Sequence, residues 1–210
     1  MYMVRTEFMV RGGYVNEFEA DRIELGNLRK GMPGYLGQAL LNSFSHPSKY
    51  VATSRYENVE AYWVARKNEA VASHMKSRPA GQASVTLQEA YEGVFDVDAA
   101  DPAATTCEVF ADWTLDQRPG VFARFEASRR ALFELRKQYA KGFGSGRVRR
   151  SAGTPGKYLL INFYSTAEDA RAAQGVPEIA AFAAPHPYTL YAAAPPTLEA
   201  YHVNSRLPGQ

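Results

Sequence analysis

Only one of the 210 residues is a cysteine, Cys107, so no disulfide can form within the chain. A reducing cytoplasm is the expected setting. No unbroken run of about 18 apolar residues occurs, so no transmembrane helix and no membrane partner is expected. The first residues, "MYMVRTEFMVRGG", alternate and then turn, without the apolar core of a signal peptide. Charge of either sign is barely in excess, at a net +2. The basic clusters at Arg129–Arg130 and Arg147–Arg150 are short and read as solvated faces, so no nucleic-acid partner is expected. Cysteine clusters, close histidine pairs and nucleophile elbows are also missing. "GFGSG" at Gly142–Gly146 lacks the Lys and Ser/Thr of a phosphate loop and precedes a strand.

What is present is an ordinary globular balance, 46% hydrophobic and 22% charged, rich in aromatics with 13 Tyr and 11 Phe. The chain also reads itself twice. "FEADRIELGNLRK" from Phe18 returns as "FEASRRALFELRK" from Phe125, and "KYVATSRYENVEAYWVA" from Lys49 returns as "KYLLINFYSTAEDARAA" from Lys157. "EAY" at Glu89–Tyr91 returns at Glu199–Tyr201. Three blocks in the same order point to duplication. Small residues, Asp and Pro between the copies read as a linker. The expected organisation is a first repeat over 1–98, a linker over 99–105 and a second repeat over 106–210.

Each copy has the same order of elements. "MVRTEFMV" has strand character, and Val15, Phe18, Leu25 and Leu28 fall at helical spacing before Gly31, Pro33 and Gly34 stop the helix. "YLGQALLNSF" and "KYVATSRY" read as strands around a turn holding His46. Asn58 can cap the next helix, and "LQEAYEGVFDV" closes the unit. Pro119 opens the first helix of the second copy. The order β-α-β-β-α-β is ferredoxin-like, with one bare apolar sheet face per copy. The predicted fold is α+β, with two ferredoxin-like repeats covering each other in one chain as an intrachain barrel.

"PGYLG" at Pro33–Gly37, "SRYENVEAYW" at Ser54–Trp63, a His at the helix end and "EAYEG" resemble the antibiotic-biosynthesis-monooxygenase superfamily. That resemblance implies the dimeric α+β barrel fold. Within the superfamily, Trp63 and His74 look like the haem-degrading monooxygenases. The resemblance then implies His74 as axial ligand of haem iron and Trp63 as the distal wall. The family's Asn on the first strand has no match; Thr6, Glu7 and Phe8 stand there.

Trp63 and His74 are eleven residues apart, about three helical turns, so an unbroken helix would show both on one face about 16 Å apart. That span suits a broad flat ligand. The bland alternative makes Trp63 a core anchor and His74 a surface residue near a helix C-terminus. The second copy places Arg171 and Phe182 at these positions, so the fold itself does not demand Trp and His. His186, between prolines, reads as a loop residue. Glu7 and Asp112 match on the two first strands, and a buried carboxylate such as Glu7 is a candidate base. The expected function is oxygen-dependent monooxygenation, with haem as the possible cofactor. The alternatives are cofactor-free oxidation of a small aromatic substrate, with Glu7 or a Tyr taking the proton, and a non-catalytic ligand-binding or stress-associated barrel. A small-molecule or haem ligand and a possible homodimer complete the expectations.

Overall fold

The computed structural model describes residues 1–79, 81–100 and 104–208. Its elements run β1 (Tyr2–Val10), α1 (Val15–Arg29), β2 (Tyr35–Ser43), β3 (Lys49–Tyr56), α2 (Val59–Lys67), α3 (Glu69–Ser77), β4 (Ala83–Asp98), β5 (Cys107–Thr114), α4 (Val121–Tyr139), β6 (Phe143–Ser151), β7 (Lys157–Tyr164), α5 (Ala167–Ala172), α6 (Pro177–Ala183) and β8 (Thr197–Pro208). Each unit carries an antiparallel sheet, β1-β3-β2 in the first and β8-β5-β7-β6 in the second, in the α+β ferredoxin-like organisation expected from the sequence. The linker expected over 99–105 includes residues 101–103, which lie outside the described residues. Among the described residues no helix is long and apolar enough to cross a membrane.

Two compact units divide the chain. The first holds Met1–Tyr91 with Val203–Gln210, and the second holds Glu92–His202. The long strands β4 and β8 each pass from one unit to the other. In the first unit β3 pairs antiparallel with both β1 and β2, with Thr6 opposite Ala52 and Leu40 opposite Ala52. In the second, β7 pairs the same way with β5 and β6, with Ala111 opposite Leu160 and Val148 opposite Leu160.

The recurring sequence blocks make recurring contacts. Phe18 of α1 meets Phe8 and Tyr50 edge-on at 5.1 and 5.3 Å, and Phe125 of α4 meets Trp113 and Tyr158 likewise at 5.0 and 5.3 Å. The Tyr50 hydroxyl donates to Glu19 at 2.8 Å, and the Tyr158 hydroxyl donates to Glu126 at 2.6 Å. Arg22 lies over the Phe8 and Phe18 rings, and Arg129 lies over Trp113 and Phe125. Such edge-on and cation–π contacts add about 0.5–1.5 kcal/mol each to the burial of the rings.

One pair of positions is exchanged between the units. Gly26 on α1 lies against Leu207 of β8 and Gln38 of β2, whereas Phe133 on α4 lies against Gly146 of β6. A Cβ on Gly146 would sit 2.5 Å from the Phe133 ring. The second unit thus fills its helix–sheet layer with an aromatic from the helix. The first fills it with Leu207 and with the Gln38 amide, which donates to the Arg22 carbonyl at 2.7 Å.

The helix expected to carry both Trp63 and His74 is broken. Asn68 ends α2 with extended backbone and caps α3, its side chain accepting from Val71 N at 3.3 Å. Asn58 caps α2 as expected, accepting from Ala61 N at 2.8 Å. Pro119 stands two residues ahead of α4 rather than inside it, because Gly120, at φ 76°, supplies the turn into the helix.

Candidate active site

A cavity of about 210 Å³ lies inside the first unit, between its sheet and its helices. At ~30 Å³ each it has room for roughly seven waters. Its floor is Thr6 and Phe8 of β1, Ala52 and Ser54 of β3, and Gln38 of β2. Its walls are Arg22, Leu25 and Arg29 of α1, Tyr62 and Arg66 of α2, and Met75 with Arg78 at the end of α3. The corresponding layer of the second unit is packed with Phe133, Leu160, Val148 and Tyr164. Ala52 stands where that unit has Leu160, and Gly26 where it has Phe133. Leu207 and the Gln38 amide pack against Gly26, so the small residue that borders the open space is Ala52, and close-packed interiors rarely leave such space without a use.

The lining chemistry is donor-rich. Arg22 and Arg78 share the Asp21 carboxylate: Arg22 donates through Nε at 2.8 Å and through Nη2, and Arg78 through Nε at 3.2 Å. Arg29 donates from Nη1 to the Ser54 hydroxyl at 3.1 Å, and Arg66 donates from Nη1 to the Tyr62 hydroxyl at 2.6 Å. Burial, then the like charge of Arg78, lowers the Arg22 pKa; burial likewise lowers that of Arg78. Burial also raises the Tyr56 phenol, so Tyr56 faces the cavity as a neutral donor. Among the described residues no Asp, Glu or His lines the cavity. The lining groups can hold and neutralise an anion.

The three residues singled out from sequence lie apart. Trp63 on α2 is 48% exposed, tilted against Tyr62 at 5.0 Å with Arg66 over its ring. It is neither a cavity wall nor a core anchor. His74 on α3 turns toward α1, its Nε2 2.8 Å from Asp21 Oδ1 and its Nδ1 3.7 Å from Glu24 Oε1. Glu7 is buried on the face of β1 opposite Thr6 and Phe8, and pairs with Arg5 and, at 3.1 Å, with Lys49. Asp112 occupies the same register on β5, opposite Leu159 as Glu7 is opposite Val51. His186 follows α6, its Nδ1 2.8 Å from the Phe182 carbonyl and its ring stacked on Phe182 at 4.4 Å. Cys107 is buried at the start of β5, and burial pushes its thiol up to about 11.

The arginines, unlike Trp63 and His74, are marked out in the sequence by neither rarity nor motif. Arg22 and Arg29 are seven apart on α1, so they share the face of Leu25 and point with it toward the sheet. That spacing was available, but charged residues on a helix are usually a solvated face. Arg66 and Arg78 reach the cavity only because the chain breaks at Asn68 and turns after Ser77.

The family model for antibiotic biosynthesis monooxygenases matches residues 1–77, the part of the chain that holds β1 to α3 and most of the cavity wall. No curated protein matches the chain in sequence. Among solved structures, the chain is similar to a candidate monooxygenase from Fusobacterium nucleatum, with TM-score 0.79 and 12% identity over 99% of this chain and 94% of that one. A second candidate monooxygenase, from Lactobacillus acidophilus, gives TM-score 0.72 and 8% identity over 99% and 95%. A haem-degrading enzyme from Listeria monocytogenes gives TM-score 0.52 and 14% identity over 96% and 99%. At these identities the likeness is one of fold.

Proposed function

Taking residues 1–77 as an antibiotic biosynthesis monooxygenase domain, we propose that the chain is a monooxygenase that oxidises a small aromatic substrate in the cavity of its first unit. The observation that carries the reading is that cavity, which lies between sheet and helices, opens past the exposed Met75, Val85 and Gln88, and is lined by guanidinium groups and tyrosines. Known small-molecule sites are of about 300–1,000 Å³, so 210 Å³ suits one or two fused rings rather than an extended cofactor. The chemistry needs no external reductant. Converting an activated ring CH2 to C=O consumes one O2, places one oxygen in the product and releases the other as water, the substrate giving all four electrons. The residues would act by position and charge. Tyr62 and Phe8 offer ring surface, while the arginines stabilise the substrate anion, which is the electron-rich form that reacts with oxygen. Proton loss then goes to solvent, since Glu7 lies on the other face of β1.

Haem does not fit the residues as they stand. The His74 imidazole faces Asp21 rather than the cavity, and among the described residues no other His lines it. A haem titration followed at the Soret band checks this: an unshifted band is expected, and a His74-dependent shift would restore haem. The oxidation reading is tested by oxygen uptake with electron-rich phenols and anthrone-type compounds, without added metal or reductant, using 18O2. One labelled oxygen per product is expected. No uptake across the panel sinks the reading. We also propose that the chain arose by duplication, with repeats over 1–98 and 106–210 joined by 99–105, and that it works in the cytoplasm.

A further inference from the structure

We propose that the ligand of the first-unit cavity is a planar aromatic anion, bearing an ionised carboxylate or phenolate, and that Arg29, Arg66 and Arg78 receive the charged oxygens. This deepens the oxidation reading and rests on the same cavity.

The argument is one of charge. Four guanidinium groups line the space, and the carboxylate that pairs with two of them, Asp21, stands behind Arg22 and Arg78 and also faces His74. Among the described residues Arg29 and Arg66 have no carboxylate partner, although the chain as a whole has 22 acidic residues to set against 24 Lys and Arg. Arg29 is part-buried, where a guanidinium without a counter-charge is costly and an arriving anion offsets that cost; Arg66 is exposed and adds positive charge at the mouth. The donors are in place. Nε of Arg29 and Nη2 of Arg78 are buried and have no hydrogen-bond partner among the described residues. Arg136, the counterpart of Arg29, also has a bare Nε, but there Phe133 lies beside the guanidinium at 6.0 Å and fills the space. In the first unit no ring among the described residues lies over Arg29: Leu207 and Gln38 pack against Gly26 instead, and Arg29 lines the cavity. The planar guanidinium fork matches a carboxylate or phenolate edge, and Phe8 and Tyr62 among the lining residues give a flat ligand apolar surface.

Three probes with one ring system test this. Calorimetry compares 4-nitrobenzoate with 4-nitrobenzamide, and absorbance follows 4-nitrophenol near its pKa. The benzoate is expected to bind at least tenfold tighter than the amide, with affinity falling as salt rises. For the phenolate arm, the yellow anion should increase on adding protein, because guanidinium groups favour the charged form. Arg29→Gln should remove most of the preference, and Arg66→Gln, on the exposed side of α2, provides the same reading should the first variant fold poorly. Arg124→Gln, in the second unit, should change nothing. Equal binding of acid and amide, or a preference unchanged in both cavity variants, overturns the inference. Oxygen uptake is read separately. Anion selectivity without uptake upholds this inference and removes the oxidation reading, whereas uptake confined to neutral substrates does the reverse.

Discussion

Asp21 is the residue on which the most charge converges. It accepts from Arg22 and Arg78 and faces His74, so its loss leaves two part-buried guanidiniums with no carboxylate. Breaking a fully buried pair from one side costs about 3–5 kcal/mol. Asp21 keeps some solvent access, so Asp21→Ala should cost about 2–3 kcal/mol, read as a lower denaturation midpoint with an unchanged slope. His74→Ala should cost only about 1 kcal/mol or less, because Asp21 keeps both arginines. A His74 loss as large as that of Asp21 would show that the imidazole, not the guanidiniums, holds α3 to α1.

At the scale of elements, two features separate the units. The first is the break between α2 and α3. Asn68 both stops one helix and caps the next, so Asn68→Ala should cost about 1 kcal/mol and loosen the wall that carries Arg66 and Arg78. Faster amide exchange over Glu69–Ser77, with little change in α1, is the expected pattern. The second is the exchanged pair of fillers. Gly146→Ala would press a methyl into the Phe133 ring, an overpacking expected to cost about 1–3 kcal/mol in thermal or chemical unfolding. An unchanged midpoint would mean that Phe133 can swing away, and that the second unit is less tightly filled than its contacts imply.

Across the whole molecule the same tyrosine–glutamate pair occurs twice, Tyr50 with Glu19 and Tyr158 with Glu126. Burial first, and then the neighbouring carboxylate, pushes Tyr50 up to about 12 and raises Tyr158 as well. A phenol whose folded pKa lies above its unfolded value stabilises the fold fully below about pH 10, and that contribution is lost as pH rises through the folded pKa. The native protein should therefore lose stability between about pH 10 and 12 more steeply than a Tyr50→Phe, Tyr158→Phe double variant. Parallel slopes would show that neither pair governs the alkaline limb.

The order of elements was legible in the sequence, because it rests on local periodicity and on blocks that recur at fixed offset. Strand β3 runs from Lys49 to Tyr56 as the alternation implies, and Asn58 caps where its side chain allows. The site was not legible, for a physical reason that can be named. Which side chains share a cavity depends on volumes set against each other across the sheet, as with Ala52 where the other unit has Leu160. Trp63 and His74 attracted notice as rare residue types, yet a single break at Asn68 set one on the surface and turned the other toward Asp21. The arginines drew none, since a charged residue on a helix looks solvated until the fold encloses it. Sequence by itself determined the elements and their repetition; only the tertiary structure decided where space remained and which charges were left without partners beside it.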